Sequence, residues 1–362
     1  MKKNIASCLL FLLTVGLFVK CSESSGHYMT LDEIQYVNTF PQTFVLDDEI
    51  EVDPDIIGIK DFYIYDSLLV FATTDKEGYW SFVSLPDYHF LGKFLTGGQG
   101  PYEFFKFPYV GESKFFKEKG ELFAAIYHFE RGKLYKMNIS ESIKNNRLNI
   151  YTINGSLPPA FFDFVVMDSI TFLCKEISNN ETQQIRYMLT NGEKTTPTHL
   201  EKLNLAKIRK GKDFNILSTI TKHNSNKNLI VEMPVGLNYI NMYSPDGSFG
   251  KTICVGNQLD HIGEIQYKRN WERIYTFGDL RLFPDFLGVV YINEEYKTHL
   301  SERERHPDIL LFDWDGKPLA KLVLNEFITS FDIDFTNGYL YTLDADTDVF
   351  CKYDIRKILQ KI

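Results

Sequence analysis

The chain has 362 residues, of which 44% are hydrophobic and 15% aromatic, so it has ample material for a large core and is neither disordered nor of low complexity. Its formal net charge is -9 and it has no long run of basic residues. Nucleic acids and anionic membrane surfaces attract positively charged proteins, so this charge argues against either as the main partner.

The N-terminal residues have the layout of a bacterial export signal. Lys2 and Lys3 precede an apolar stretch at residues 8–19, and Cys21 follows it. The end of this segment, LFVKC before SESSGH, resembles a bacterial lipoprotein processing site, although Lys20 stands where that pattern has a small residue. The resemblance implies that Cys21 becomes the lipidated first residue of the mature protein, and an ordinary cleaved signal is the alternative.

These features divide the chain into a signal peptide at residues 1–20, a lipidated linker at residues 21–42 and a folded domain at residues 43–362. Nothing after the signal approaches the roughly 18 apolar residues of a membrane-spanning helix. Each lipid methylene buried in a bilayer contributes about 0.8 kcal/mol, so two or three chains on one cysteine hold a protein firmly. We therefore expect membrane attachment through the lipid alone.

Three cysteines remain in the folded part, Cys174, Cys254 and Cys351. An odd number excludes a complete disulfide framework. Each lies in a different apolar stretch, so we expect three small buried hydrophobic side chains rather than a disulfide pair or a reactive thiol.

A short pattern recurs six times, in which a tight-turn signal of Asp, Asn, Gly or Ser precedes a strand rich in β-branched or aromatic residues. The copies are YDSLLVF (65–71), EKGELFAAIY (118–127), MDSITFL (167–173), NKNLIVEM (226–233), PDFLGVVYI (284–292) and TNGYLYTLD (336–344). Their anchor positions are Leu68, Glu121, Ile170, Leu229, Leu287 and Tyr339. A spacing of roughly 50–60 residues is too long for a leucine-rich or tetratricopeptide repeat and is typical of a four-stranded propeller blade.

A second hairpin follows most copies. The segments are WSFVSLPDYHFLGKF (80–94), IRYMLTNGEKTT (185–196), INMYSPDGSFGKTI (240–253) and ILLFDWDGKPLAKLV (309–323). Each has a turn signal such as Pro-Asp or Asn-Gly between two strands. Helical periodicity is almost absent, and SESIKNNRL (140–148) and DIRKILQK (354–361) are the candidates for short helices.

The ends of the chain predict how the ring closes. The last unit stops near Tyr353 without an outer strand, and residues 43–52 form an isolated strand before the first blade. Pairing the two would remove exposed strand edges. We therefore predict an all-β, six-bladed β-propeller of four-stranded antiparallel blades, closed by an N-terminal strand, and we expect residues 22–38 to pair with nothing.

Four segments carry a resemblance to a known family: IYDSLLVF (64–71), GGQGPYEF (97–104), ILLFDWDGKPL (309–319) and SFDIDFTNGYLYTL (330–343). They resemble the TolB-like six-bladed β-propeller lipoproteins of Gram-negative bacteria, and the resemblance spans roughly residues 44–358. It implies the same fold and a location in the bacterial cell envelope, at the outer membrane on its periplasmic or surface side. It implies no catalytic residues.

The sequence shows no recognisable catalytic, phosphate-binding or metal-binding motif. The GGQGP segment is not followed by Lys-Ser or Lys-Thr or by a helix, so Gly97, Gly98 and Gly100 predict a tight turn, with Glu103 hydrogen-bonded to it, rather than a phosphate loop. Asp66-Ser67 and Asp168-Ser169 are interpreted as turn residues. The eight histidines show no metal-ligand spacing. We expect no cofactor and no catalytic or metal-binding residues.

Two kinds of loop lie on one face of a propeller: those that join successive blades and those that join the second and third strands of a blade. Propellers usually bind their ligands and partners on this face. Here several are long and mix charges with aromatic residues, which anchor interfaces. The candidate contact residues are His128, Arg131, Arg209, His261, Arg269, Trp271, Arg273, Tyr296 and Arg303.

Two functions fit the sequence. The first is a non-catalytic binding or scaffold module, a lipid-anchored monomer that holds a protein, peptide or glycan on the long-loop face. The alternative is a propeller hydrolase or lactonase with carboxylates and a divalent metal on the central axis. The lack of acid–base or metal-ligand spacing favours the first.

Overall fold

The computed structural model describes residues 26–153, 157, 163–303 and 305–362. The predicted signal peptide and Cys21 lie outside the described residues. Among the described residues, no helix has the length and hydropathy needed to cross a bilayer.

Six antiparallel sheets form the blades of the propeller. Three short strands precede them, β1 (Glu33–Val37), β2 (Thr43–Leu46) and β3 (Ile50–Glu51). Blade one contains β4 (Ile59–Tyr65), β5 (Leu68–Thr73), β6 (Trp80–Ser84) and β7 (Phe90–Phe94). Blade two contains β8 (Lys114–Glu118), β9 (Glu121–His128), β10 (Lys133–Asn138) and β11 (Ile150–Thr152). Blade three contains β12 (Asp163–Val166), β13 (Thr171–Ile177), β14 (Gln184–Thr190) and β15 (Glu193–Thr195).

The second half of the ring has the same strand order. Blade four contains β16 (Thr219–Asn224), β17 (Leu229–Pro234), β18 (Tyr239–Tyr243) and β19 (Gly250–Val255). Blade five contains β20 (Ile274–Leu282), β21 (Phe286–Glu295), β22 (Asp308–Asp313) and β23 (Pro318–Leu324). Blade six contains β24 (Ser330–Asp334), β25 (Tyr339–Asp344) and β26 (Val349–Asp354), with β3 as its outer strand. The six-bladed all-β prediction is confirmed.

Short helices occupy loops and the C-terminal end. They are α1 (Ile139–Asn145), α2 (Thr198–Asn204), α3 (Ile262–Ile265), α4 (Tyr296–Ser301) and α5 (Arg356–Leu359). Single 3-10 turns lie at Phe129–Arg131, Phe214–Leu217 and Asn270–Glu272. Helix α1 overlaps the candidate segment 140–148 and α5 lies within the candidate segment 354–361, whereas the sequence pattern did not indicate the other three.

The repeated sequence pattern marks the turn between the first and second strands of each blade. Four of its anchors, among them Leu68 and Leu229, are the first residue of a second strand. Asp66 and Asn228 adopt positive φ angles of 53° and 52° in these turns, a conformation that Asp and Asn tolerate better than most residues. Asp168 Oδ1 instead accepts hydrogen bonds from the backbone of Ile170, at 2.8 Å, and of Thr171. The interpretation of these residues as turn formers is confirmed.

The closure of the ring is confirmed, but with a different strand pairing from the predicted one. Only Ile50–Glu51 completes blade six, by antiparallel pairing with β26. Thr43–Leu46 instead runs parallel to β23, as a fifth strand of blade five. Residues 47–49, which belong to neither strand, divide the predicted strand 43–52 between two blades.

The expectation that residues 22–38 pair with nothing is wrong. Strand β1 runs parallel to β19 as a fifth strand of blade four. Before it, the side chains of Met29 and Leu31 are buried, and the amide of Leu31 donates to Thr252 Oγ1 at 2.8 Å. Residues 33–51 thus run along the outer edges of blades four, five and six.

The three cysteines of the folded part are free and buried, as expected. Burial raises the pKa of Cys174 to about 12 and those of Cys254 and Cys351 to about 11. They are therefore uncharged thiols that pack as hydrophobic groups.

A buried charged cluster joins blades three and four. Glu232 Oε1 accepts hydrogen bonds from Arg186 Nε at 2.8 Å and Nη2 at 2.5 Å. Glu232 Oε2 accepts one from the Tyr243 hydroxyl at 2.9 Å and lies 3.4 Å from Lys175 Nζ. The side chains of Glu232, Arg186 and Lys175 are fully buried. Burial raises the pKa of Glu232, but Arg186 and Lys175 more than offset this and hold it at about 2.

Candidate binding site

Strand direction divides the loops between two faces of the ring. Because strands alternate in direction within a blade, the loops between blades and those between second and third strands emerge on one side, here called the loop face. The turns between first and second strands emerge on the other side, here called the hairpin face. The nine candidate contact residues all belong to loops or strand ends on the loop face.

The candidates fall into two regions of this face. His128 and Arg131 belong to blade two, and the others belong to loops of blades three to five. Within the second region the amide of Tyr296 donates to Arg273 O at 2.9 Å, which joins the loop after blade four to that of blade five. Blades two and five lie across the ring from each other, so the structure does not bring all nine candidates together.

His128 lies below the surface of the loop face and supports a turn. Its side chain is buried, its ring stacks on Phe104 with centroids 4.9 Å apart, and Nε2 lies 3.3 Å from Glu103 O. Burial lowers the pKa of His128. Arg131 donates to Gln99 O at 2.8 Å. Both residues hold the turn of GGQGP, in which the predicted bond from Gly100 N to Glu103 Oε2 is present at 2.7 Å.

This support carries a groove with aromatic walls, here called the aromatic groove. It has a volume of about 340 Å³ and is lined by the loop after blade one, the 3-10 turn of blade two, Phe164 of β12 and residues 219–222 of β16. Tyr109 and Phe129 line it and are 47% and 50% exposed, and Phe105, the next residue after the lining residue Phe104, is 46% exposed. The guanidinium of Arg131 covers the ring of Phe105 at 5.1 Å. The segment YEFFKFPY (102–109) holds five aromatic residues within eight positions, a signal that the sequence interpretation overlooked.

A second exposed group, here called the basic–aromatic patch, lies in the loops after blades three and four. Tyr267 is 54% exposed and Trp271 50%. Cations lie over both rings, Arg209 at 5.4 Å from Tyr267 and Arg269 at 5.5 Å from Trp271. The complete patch comprises Leu205, Lys207, Arg209, Lys210, Lys212, Tyr267, Lys268, Arg269 and Trp271.

The remaining four candidates are engaged within the protein. Arg273 Nη1 pairs with Asp213 at 2.6 Å, and the ring of His261 stacks on that of His27 at 4.6 Å. Arg303 pairs with Asp344 and lies 3.8 Å from the centroid of Phe327. Tyr296 packs edge-on against the ring of Tyr275 at 5.8 Å. These side chains hold loops in place and have less capacity to contact a partner.

Charged side chains of the innermost strands meet on the axis. Arg281 Nε donates to Asp279 Oδ2 at 2.8 Å, and Nη2 donates to Asp61 Oδ1 at 3.1 Å. Asp332 Oδ2 lies 4.0 Å from Arg281 Nη1 and accepts a hydrogen bond from Ile64 N at 2.8 Å. Burial lowers the pKa of Lys222, whose Nζ lies 4.0 Å from Asp279 Oδ1. The carboxylates on the axis therefore accept hydrogen bonds from, or form ion pairs with, Arg281 and backbone amides.

The axis opens on the hairpin face as a cavity of about 660 Å³. Burial raises the pKa of Asp332, at its base, to about 6, with Arg281 acting in the opposite direction. Within the described ranges, no group of three or more His, Cys, Asp or Glu side chains is arranged so that it could hold a metal ion.

Comparisons with known proteins give the following likenesses. A protein of Bacteroides fragilis NCTC 9343, described as exported, is 10% identical with a TM-score of 0.47, over 89% of this chain and 98% of that one. Hydrazine synthase of Kuenenia stuttgartiensis is 14% identical with a TM-score of 0.43, over 90% of this chain and 80% of that one. No curated protein matches the sequence significantly.

The family described as TolB-like 6-blade propeller-like matches residues 61–336. This range begins in the first strand of blade one and ends in the first turn of blade six, so it includes most of the ring. The strand order of the six sheets agrees with that description. The chain therefore belongs to the TolB-like family of six-bladed propellers.

Proposed function

We propose that this chain is a lipid-anchored monomeric propeller of the bacterial cell envelope, held at the outer membrane, that binds a protein, peptide or glycan on its loop face without catalysing a reaction. The aromatic groove is the observation that carries this proposal. Soluble monomers seldom expose clustered apolar side chains unless these bind something. Most exposed large apolar side chains of the described residues are on the loop face: Ile57, Tyr102, Phe105, Tyr109, Phe129, Ile177, Leu205, Tyr267, Trp271 and Leu300.

The chemistry of the groove suits recognition. Aromatic side chains offer large contact areas at a low cost in conformational entropy, and they are enriched among the residues that dominate binding energy. The turn of GGQGP beneath them is held by Glu103 and Arg131. The rings are thus presented on a hydrogen-bonded turn, and such preorganisation reduces the entropy lost when a partner binds.

Replacement of both Tyr109 and Phe129 by alanine is expected to weaken partner binding about thirtyfold or more, because these rings line the groove and truncating central aromatic contacts has effects of this size. Both rings are half exposed, so thermal unfolding should change little. A photo-crosslinking amino acid at Lys106, an exposed residue that lines the groove, should give discrete adducts in native envelopes, and combining it with the double substitution should abolish them. Placing the crosslinker at Ile170, exposed on the hairpin face, is the control. Identical adducts from both positions, or adducts that survive the double substitution, would contradict the proposal.

The anchor can be tested separately. An ordinary cleavable export signal in place of residues 1–20, combined with Cys21→Ser, is expected to release the protein from membranes in high salt, because the lipid on Cys21 is the proposed attachment. The ordinary signal ensures that an uncleaved apolar segment does not hold the variant at the membrane. Fractionation followed by sedimentation measures the release. If the unlipidated variant still sediments with membranes in high salt, Cys21 is not the anchor.

A further inference from the structure

The described chain begins within the basic–aromatic patch. The amide of Lys207 donates to Gly26 O at 3.0 Å, and the amide of Ile262 donates to His27 O at 3.0 Å. Both bonds come from loops of the loop face, so residue 26 is fixed there. Five residue steps separate Gly26 from Cys21, a reach of at most about 18 Å. If Cys21 carries lipid, as in the proposed function, this edge of the loop face lies close to the bilayer.

The charge of this edge is opposite to that of the whole chain. Residues 205–213 and 267–273 contain seven Lys or Arg against two Asp or Glu, whereas the complete sequence has 39 against 48. Two of the seven cations have an acidic partner in these segments, Arg273 with Asp213 at 2.6 Å and Arg269 with Glu272 at 4.0 Å. The two acidic residues therefore do not neutralise the other five positive charges. Lys207, Arg209, Lys210 and Lys268 are exposed. A local cationic surface therefore exists on an acidic protein.

The aromatic residues of the patch have the chemistry of the membrane interface. Trp and Tyr are enriched at the level of lipid headgroups, where one end of the ring is apolar and the other is hydrated. Trp271 and Tyr267 are each at least half exposed, and Leu205 of the same patch is 47% exposed. Basic residues near an anionic leaflet each add an attraction that falls off within about 10 Å.

We propose that the basic–aromatic patch is a membrane-docking surface that binds anionic phospholipid headgroups and turns the loop face toward the bilayer that carries the anchor. Lys207, Lys210 and Arg269 contact phosphate groups, and Trp271 enters the headgroup layer. The lipid anchor supplies the attachment, and the patch sets the orientation. A partner in the aromatic groove, on the same face, would then be bound at the membrane surface.

The Cys21→Ser protein with the ordinary signal is used to test the patch, because it carries no lipid and any binding to vesicles must come from the protein surface. Vesicles of phosphatidylcholine with about one-third phosphatidylglycerol are compared with pure phosphatidylcholine by sedimentation at low and high salt. We expect binding to the anionic vesicles only, lost at high salt. Lys210→Gln with Arg269→Gln should weaken this binding about tenfold or more, and Trp271→Ser should weaken it further.

The matched control carries Lys119→Gln and Lys227→Gln, which remove the same charge from exposed lysines of the hairpin face. It should bind anionic vesicles like the parent protein. Equal loss in the patch and control variants would show a dependence on net charge and would overturn the proposal, as would the absence of binding to anionic vesicles. Failure of the Cys21 experiment would instead remove the anchor while leaving the vesicle result intact, so the two failures are distinguishable.

Discussion

A protein that begins at Pro54 is expected to aggregate or to lose cooperative unfolding, whereas one that begins at Gly26 should behave as the intact domain. The shorter protein lacks β1, β2 and β3, which cover the outer edges of blades four, five and six. Blade six would then have three strands and an exposed edge, and the ring would have no strand to close it. Unpaired edges template association with other chains.

A variant that begins at Asn38 distinguishes ring closure from the other contributions of the N-terminal segment. It keeps β2 and β3 but loses the buried side chains of Met29, Leu31 and Val37. Burying each contributes about 1.5–3 kcal/mol, so a loss of roughly 5 kcal/mol is expected, which corresponds to about 10 °C in melting temperature. Calorimetry of the three proteins measures both effects. If all three melt equally high and equally sharply, the N-terminal strands do not stabilise the ring.

Glu232→Gln is expected to lower the free energy of unfolding by about 4 kcal/mol at neutral pH, because removal of one partner from a buried ion pair leaves the remaining charge uncompensated. Arg186 and Lys175 would stay buried without the carboxylate that now accepts from Arg186 and lies beside Lys175. Denaturant unfolding at pH 7 measures the loss. Glu118→Gln, which removes an exposed partner of Lys136, is the control and should leave stability nearly unchanged.

The pH dependence of the same variant gives a second readout. The pKa of Glu232 is about 2 in the folded protein against an ordinary 4.5, so the unfolded chain binds its proton first. The stabilisation is complete above about pH 4.5 and is lost as the pH falls toward 2. The difference between parent and Glu232→Gln should therefore shrink across this acidic range. A difference that stays constant between pH 6 and pH 3 would show that the carboxylate charge is not the cause.

The architecture was predictable because its signal is local. Each blade needs a tight turn between its first two strands, and turns such as Asp66-Ser67 use residues that suit positive φ or that hydrogen-bond their own backbone. Strand β1 was not predictable in this way. Only Val37 of its five residues is buried. A strand added to the outer edge of a blade has little apolar surface to cover. Its sequence therefore does not show a strong alternation of apolar and polar residues.

The candidate site was less predictable, because a sequence does not show whether a loop arginine faces solvent or an acid. Arg303 and Arg273 pair with Asp344 and Asp213 far along the chain. Likewise, Arg281 and Asp61 are 220 residues apart, although they meet on the axis. The exposed rings of residues 102–109 were the stronger local signal, since five aromatic residues in eight positions exceed what one core layer can bury.

The pairing of the N-terminal strands with the last three blades leads to an expectation about the order of folding. Residues 33–37, 43–46 and 50–51 pair with residues 251–255, 321–324 and 351–352. Synthesis delivers these partners last, whereas each of blades one to three is assembled from strands that are close in sequence. Contacts of such large sequence separation form slowly, because a long loop must close first. We therefore expect closure of the ring to be a late step, with the N-terminal segment and the edges of the last three blades available to chaperones until it is complete.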